Sequence, residues 1–276
     1  MEQKVQHETG RVMAATCYPI NHPDGNLKIV KSLVAAAQSL GVELDTRQQA
    51  QFERFGQLIE LRSKQFNLTG AKTWERIRDE LFIRSLRILS PAGGSAPTPE
   101  WFAGKRAIDV GTGAGIPGIV MKIALPELQM TLLDSNAKKT TFLKEVVAEL
   151  KLENVDVIND RAEELGQDPA HREAYDLVVA RAVARLVELA ELTLPFANIG
   201  GTVILPKSAG VDDELDEAAA AAEILGAAPA ITLKFDRPGN SPPDHMVYWM
   251  KISPTPREFP RRIGVPHRSP LIEKNS

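Results

Sequence analysis

Asp109-Val-Gly111-Thr-Gly113-Ala-Gly115-Ile-Pro117-Gly118 is the stretch on which the fold turns. The strand-like run Lys105-Arg-Ala-Ile-Asp109-Val110 leads into it. A helix-like run, Ile119-Val-Met-Lys-Ile-Ala-Leu125, leads out. A strand, a glycine-rich turn and a helix, in that order, make a nucleotide-type ligand site at the open end of a parallel sheet.

Two ligand classes compete for such a turn. A dinucleotide needs G-x-G-x-x-G directly after the strand, with pyrophosphate at the helix N-terminus. Counted from Gly111, the third glycine falls on Ile116 and the match fails; the frame Gly113, Gly115, Gly118 fits but starts three residues past Val110. The better description is an acid, Asp109, two residues before the first of three alternating glycines. A carboxylate at that strand tip suits a ligand with an amine or sulfonium near the turn, and S-adenosyl-L-methionine is such a ligand. Asp109, Gly111, Thr112, Gly113, Gly115 and Pro117 are therefore the expected cofactor-binding residues of the turn.

Outward from the turn, strands and helices alternate. Strands are expected at Arg106–Val110, Gln129–Leu133, Val155–Ile158, Leu177–Ala180, Gly201–Leu205, Ile231–Phe235 and Met246–Ile252. Helices are expected at Ile116–Leu125, Lys138–Leu150, Arg161–Leu165, Leu186–Thr193 and Asp212–Leu225. This alternation predicts an α/β fold, a doubly wound, mainly parallel seven-stranded sheet covered on both faces. No helix separates the last two strands, so Gly239-Asn-Ser-Pro-Pro-Asp244 reads as a hairpin loop and the last strand as antiparallel.

Upstream the pattern is helical. Leu27–Leu40 stops at Gly41. In Thr46–Phe66 the residues Phe52, Phe55, Leu58, Ile59 and Arg62 follow helical spacing, and a third helix runs from Trp74 to Leu89. The division expected is a poorly ordered leader at 1–26, an N-terminal helical extension at 27–92 and a linker at 93–103. A ligand-binding domain at 104–253 and a basic tail at 254–276 follow.

The 276 residues, 43% of them hydrophobic, suffice for one large domain with an appendage. The single cysteine, Cys17, excludes an internal disulfide framework and a multi-cysteine metal site, so no metal is expected. No apolar run approaches the roughly 20 residues of a membrane span, and Met1-Glu-Gln-Lys-Val-Gln-His lacks a signal core. The expectation is a cytoplasmic monomer. Net charge is −3, but Lys251–Ser276 carries six Lys or Arg against two Glu, which predicts an anionic partner met by one face.

Other positions carry chemistry. Asp134 ends the second strand 21 residues after Gly113, where an acid accepts hydrogen bonds from a ribose diol. Asn159-Asp160-Arg161-Ala162-Glu163 follows the third strand, beside the adenine end of such a ligand; Ala162 and Glu163 are the expected contacts, with Asp160 alternatively a helix cap. Arg181, in Ala180-Arg181-Ala182, ends the fourth strand and points into the crevice, where a role in the pocket is favoured over a structural ion pair. Lys207, at the same rim, either meets phosphate or is a plain surface lysine. No Walker motif, HExxH or Asn/Asp-Pro-Pro-Tyr occurs, and no cysteine is placed to attack a pyrimidine. The acceptor is therefore expected to present its own lone pair.

Taken together these residues resemble the bacterial small-subunit ribosomal RNA guanine-N7 methyltransferases, also called glucose-inhibited division protein B. The matching stretches are Asn67-Leu-Thr69, the 109–118 turn, Leu132-Leu-Asp134-Ser with Lys138-Lys139, Arg161-Ala-Glu163, Ala180-Arg181-Ala182, and Phe259-Pro-Arg-Arg-Ile-Gly-Val-Pro266 with Pro270-Leu271. Where members carry His-x-x-Asp-Ser, this chain has Leu81-Phe-Ile-Arg84-Ser85; where they carry Lys-Gly it has Lys207-Ser208. The resemblance implies a Rossmann-like class I methyltransferase that moves a methyl group from S-adenosyl-L-methionine to N7 of one guanine in 16S rRNA, on the free RNA or the small ribosomal subunit. It implies Arg181 as the catalytic residue, at the guanine or an adjacent phosphate, and as a further cofactor contact, with RNA contacts at Asn67, Thr69, Ser85, Lys207, Arg261 and Arg262. The rivals are a methyltransferase for a small molecule or protein, an RNA- or ribosome-binding protein that has lost catalysis, and a dinucleotide oxidoreductase.

Overall fold

The glycine turn leaves the middle of a sheet. A computed structural model describes residues 25–89, 99–181, 184–208, 210–237 and 242–272. Its strands are β1 (Arg106–Val110), β2 (Gln129–Leu133), β3 (Val155–Ile158), β4 (Tyr175–Val179), β5 (Ala197–Lys207), β6 (Ile231–Phe235) and β7 (Asp244–Met250). They lie in the order β3-β2-β1-β4-β5-β7-β6. β1 pairs in parallel with both β2 and β4, and β7 runs antiparallel between β5 and β6. The antiparallel end follows from the short connection between β6 and β7, since a parallel return needs a crossover of a dozen or more residues. The order reverses between β1 and β4, which opens a crevice at their carboxyl ends, where doubly wound sheets bind ligands.

Period-two alternation sends successive side chains to two separate cores. In β5, Val203 and Leu205 face one core and Ile204 the other. In β7, Val247 and Trp249 go with the first, Met246 and Tyr248 with the second. Chain-order helices are α1 (Gly25–Ser39), α2 (Thr46–Ser63), α3 (Trp74–Arg76), α4 (Arg84–Leu86), α5 (Gly118–Ala124), α6 (Ala137–Glu149), α7 (Ala162–Leu165), α8 (Leu186–Thr193), α9 (Val211–Ile224) and α10 (Val265–Arg268). The helical extension, α5 and α6 cover one face; α7, α8, α9 and the C-terminal segment cover the other. β4 and β5 start earlier than the apolar pattern predicts, because Asp176 and Gly200-Gly201 interrupt the hydrophobic run while the ladder continues.

The extension is fastened to the domain. Asp45 and Gln48 make a capping box at the start of α2, and the Gln48 amide then donates to the Ile123 and Ala124 carbonyls at 2.9 and 3.0 Å. One side chain thus serves the start of α2 and the end of α5, whose last carbonyls lack helical partners. Phe82 stacks on Phe55 with centroids 5.4 Å apart and meets Phe52 and Trp74 at 5.3 and 5.9 Å.

The expected third helix is not regular. Over residues 74–89, α3 passes into a π-helical segment (Ile77–Ile83), then α4, then a 3-10 turn (Arg87–Leu89). A π turn widens the helix and frees carbonyls for other donors, which is why such segments favour functional places. The expected leader lies outside the described residues except for 25 and 26, as do residues 90–98 of the extension's end and linker; residues 99–102 form a 3-10 turn. The expected tail is a packed segment as far as residue 272.

Candidate active site

The turn is clamped from below. Asp109 Oδ2 accepts hydrogen bonds from Thr112 Oγ1 at 2.6 Å and from the Gly118 amide at 2.7 Å. Asp109 is 0% exposed, and its Oδ1 is buried without a hydrogen-bond partner among the described residues. Burial drives its pKa up to about 7 against the two hydrogen bonds, which pull it down. Asp109, expected at the strand tip facing the turn, near a cationic ligand group, is instead buried beneath the turn and holds Thr112 and Gly118. Gly118 owes its identity to this clamp, since a Cβ there would stand 2.9 Å from Asp109 Oδ2 and 2.4 Å from Leu132.

Above the clamp lie two adjoining cavities. The first, about 450 Å³, is lined by Leu68, Thr69, Leu81, Gly111–Ala114, Ile116, Asp134, Ser135, Lys139 and Arg181. The second, about 300 Å³, involves Ala162 and Glu163 of α7 with Gly264, His267 and Arg268 of the C-terminal segment. Gly111, Asp134 and Ser135 belong to both, so together they form one elongated crevice over the ends of β1 and β2. Gly113 has φ +60, and a Cβ built there meets no atom closer than 3.9 Å, so a side chain would stand in the cavity. Gly115 and Pro117 do not line the crevice; a Cβ on Gly115 would strike Ile119 at 2.6 Å.

Asp134 joins the two halves. Its Oδ2 accepts from the Gly113 amide at 2.9 Å and its Oδ1 from the Asn136 amide at 2.8 Å, while Lys139 Nζ stands 3.8 Å away. Each oxygen retains a lone pair for a further donor. Asn159 donates to the Asp134 carbonyl at 2.9 Å and so fixes the tip of β2 against that of β3. An open pocket with glycine walls and a carboxylate at its waist fits an adenosyl ligand with a flexible amino-acid arm.

Arg181 reaches from the end of β4 to the π segment. Its Nη2 donates to the Glu80 carbonyl at 2.5 Å, and Nη1 lies 3.5 Å from the Leu81 carbonyl and Ser85 Oγ. Burial lowers its pKa to about 10, with nearby Arg84 adding to the effect, so it stays protonated at neutral pH. Ser85 is 0% exposed and donates to the Leu81 carbonyl. The expected RNA contact at Ser85 is therefore corrected to a support for Arg181. Arg84, at the expected acidic position, pairs with Asp244 of β7 at 2.5 Å, as does Arg87.

The other expected RNA contacts divide. Asn67 is exposed and Thr69 lines the larger cavity. Arg262 is exposed, whereas Arg261 is bound through Nε and Nη2 to Glu191, which is 1% exposed. Lys207 is held by Glu214 at 2.7 Å and by the Ala184 carbonyl. Arg261 and Lys207 are thus structural ion pairs, because a buried or half-buried carboxylate demands a cation. Lys251, counted above among the basic residues, is 0% exposed and bonds the Leu194 carbonyl and Thr255. Ala182 lies outside the described residues.

The C-terminal wall escaped the sequence reading. Arg172 donates to the carbonyls of Phe259 at 2.6 Å, Thr255 at 2.8 Å and Pro256 at 3.0 Å, and the Gly264 amide donates to Glu163 Oε1 at 2.8 Å. Glu163 thus holds the C-terminal strap, residues 255–268, with one oxygen as well as lining the cavity. The sequence signal for this wall is Gly264 within the Phe259–Pro266 motif, between residues whose charge is more conspicuous.

Comparison with known proteins agrees with this architecture. The family model GidB, rRNA small subunit methyltransferase G, matches residues 48–240. The ribosomal RNA small subunit methyltransferase G of Roseiflexus castenholzii is 40% identical over 240 residues, 87% of this chain and 99% of that protein. The protein of the same name from Dehalococcoides mccartyi strain BAV1 is 37% identical over 244 residues, 88% of this chain and 100% of that protein. The chain belongs to the rRNA small subunit methyltransferase G family and is an S-adenosyl-L-methionine-dependent methyltransferase.

Proposed function

We propose that the chain methylates N7 of one guanine in 16S rRNA. The observation that carries the reading is a half-buried, protonated arginine facing a cavity whose only carboxylate among the described residues, Asp134, is held by two backbone amides. Such a pocket attracts an electron-rich base edge and, apart from the Asp134 carboxylate assigned to the ribose, offers no carboxylate or imidazole among the described lining residues to remove a proton. Guanine N7 is a lone pair on the edge beside O6, and it needs no deprotonation. S-adenosyl-L-methionine supplies an electrophilic methyl group on a sulfonium. The protein's contribution is then positioning and electrostatics.

In this reading Gly111, Thr112 and Gly113 take the methionine side, Asp134 the ribose, and Ala162 with Glu163 the adenine. Gly115, Pro117 and Asp109 act by holding the turn. Arg181 donates to the guanine edge or a neighbouring phosphate. Thr69, Asn67 and Arg262 contact the RNA backbone, which positions without specifying. No helix among the described residues is long and apolar enough to cross a membrane. The substrate class is tested by salt. RNA binding weakens with a log–log slope of about −0.7 per neutralised phosphate for single strands. KM for RNA rising steeply with salt, at constant cofactor affinity, supports the reading. Salt-indifferent turnover of a small acceptor overturns it.

A further inference from the structure

Two cations line the larger cavity, and they differ. Arg181 already donates to the Glu80 carbonyl and lies near that of Leu81, with its remaining N–H groups assigned to the acceptor. Lys139, in the first turn of α6, has Nζ 3.8 Å from Asp134 Oδ2, an ion pair longer than a hydrogen bond, and donates to no other side chain or carbonyl among the described residues. Its side chain is 29% exposed, and Nζ lies 3.9 Å from the point where a Cβ on Gly113 would stand. The ammonium therefore lies over the glycine turn, at the wall of the cavity.

Its position is electrostatically costly. The first turn of α6 contains Lys138 and Lys139 and no acid, although a helix N-terminus favours negative charge. Asp134 offsets the cost in part, but both of its oxygens already accept a backbone amide. An ammonium with three donors and one distant partner, aimed into a cavity, is arranged for a second anion.

We infer that Lys139 binds the carboxylate of the cofactor's amino-acid arm. The inference rests on the reading that puts the ribose on Asp134. With the nucleoside in the smaller cavity, the arm enters the one that Lys139 lines, and its carboxylate is the ligand group of opposite charge. The lysine thereby fixes the arm along the turn. It acts on the cofactor and not on the RNA backbone, although an exposed lysine beside it, Lys138, points to no such cavity.

The test is calorimetry with two ligands. S-adenosylhomocysteine carries the carboxylate; 5′-methylthioadenosine carries the same nucleoside and thioether without the amino-acid arm. In Lys139→Met the affinity for the first falls 10- to 100-fold and that for the second stays within about two-fold of the parent. Lys139→Arg recovers part of the loss. Unchanged S-adenosylhomocysteine affinity with a raised KM for RNA overturns the inference in favour of a phosphate contact. Equal loss of both ligands overturns it in favour of a general effect on the pocket. Asp134→Ala separates the inference from its premise: it weakens both ligands if the ribose assignment holds, and neither if that assignment fails.

Discussion

Gly113 donates its amide hydrogen to Asp134 Oδ2 at 2.9 Å, so the turn after β1 and the tip of β2 form one piece. The glycine turn places the carboxylate, and the carboxylate steadies the turn. Gly113→Asp, whose new carboxylate would fill the cavity beside Asp134, is expected to reduce S-adenosylhomocysteine affinity more than 10-fold. The left-handed backbone there costs a non-glycine residue about 1 kcal/mol, so the melting temperature falls only by a few degrees. Calorimetry and thermal melts on the same preparation check both halves; normal affinity removes the pocket assignment.

Arg181 supplies a fork that lysine lacks. Arg181→Lys retains charge but cannot span the Glu80 carbonyl and the acceptor together. The expected result is a kcat at least about 100-fold lower, near 2.7 kcal/mol of barrier, with S-adenosylhomocysteine affinity changed less than three-fold. Single-turnover kinetics with saturating RNA read this directly. A change confined to KM would move Arg181 from the chemistry to binding.

The parts of this fold that were legible in the chain are those ruled by local pattern. Alternating apolar runs located β1, β2, β3 and β6 to the residue, and the acid at the end of β2 stood where a ribose acceptor belongs. What escaped depends on contacts far apart in sequence. The π segment is set by Phe82 packing on α2 and by Arg181, about 100 residues away, which takes the Glu80 carbonyl. Arg84 looked like a lost motif, but Asp244, 160 residues away, is its partner. Lys207, Arg261 and Lys251 looked like RNA-facing charge because sequence shows a cation and conceals its counter-ion. The turn acid Asp109 was found, but its burial, and hence its role beneath the turn, was not visible.

The strap is the clearest case, and it carries a prediction. Arg261→Ala leaves the carboxylate of Glu191 buried without its cation. Arg261 is partly exposed, so the expected loss is about 2–4 kcal/mol of stability, somewhat below that of a fully buried pair. Because Gly264, His267 and Arg268 line the smaller cavity, S-adenosylhomocysteine affinity is expected to fall several-fold as well. Denaturant titration and limited proteolysis of residues 257–268 report the release. Full affinity with a cleaved strap would exclude the segment from the site.

Asp109 predicts a pH dependence. Burial raises its folded pKa to about 7, whereas in the unfolded chain it ionises near 4. Between those values the folded form binds the extra proton, so this contribution to stability is full below about pH 4 and is lost as pH rises through 7. Asp109→Asn keeps an acceptor for Thr112 and Gly118 and cannot ionise. Its stability relative to the parent is expected to improve from pH 4 to 7 by on the order of a few kcal/mol and then level off. Denaturant melts across that range, without cofactor, measure the difference; a constant offset would show that Asp109 is ionised throughout.

The central claim is the acceptor atom. Small ribosomal subunits or 16S rRNA lacking N7 methylation would be incubated with methyl-labelled S-adenosyl-L-methionine. The product would be mapped by borohydride reduction and aniline cleavage, which breaks the chain at N7-methylguanine. The account predicts label at one guanine and one new cleavage. Label that yields no cleavage, or no transfer by protein that binds the cofactor, would contradict it.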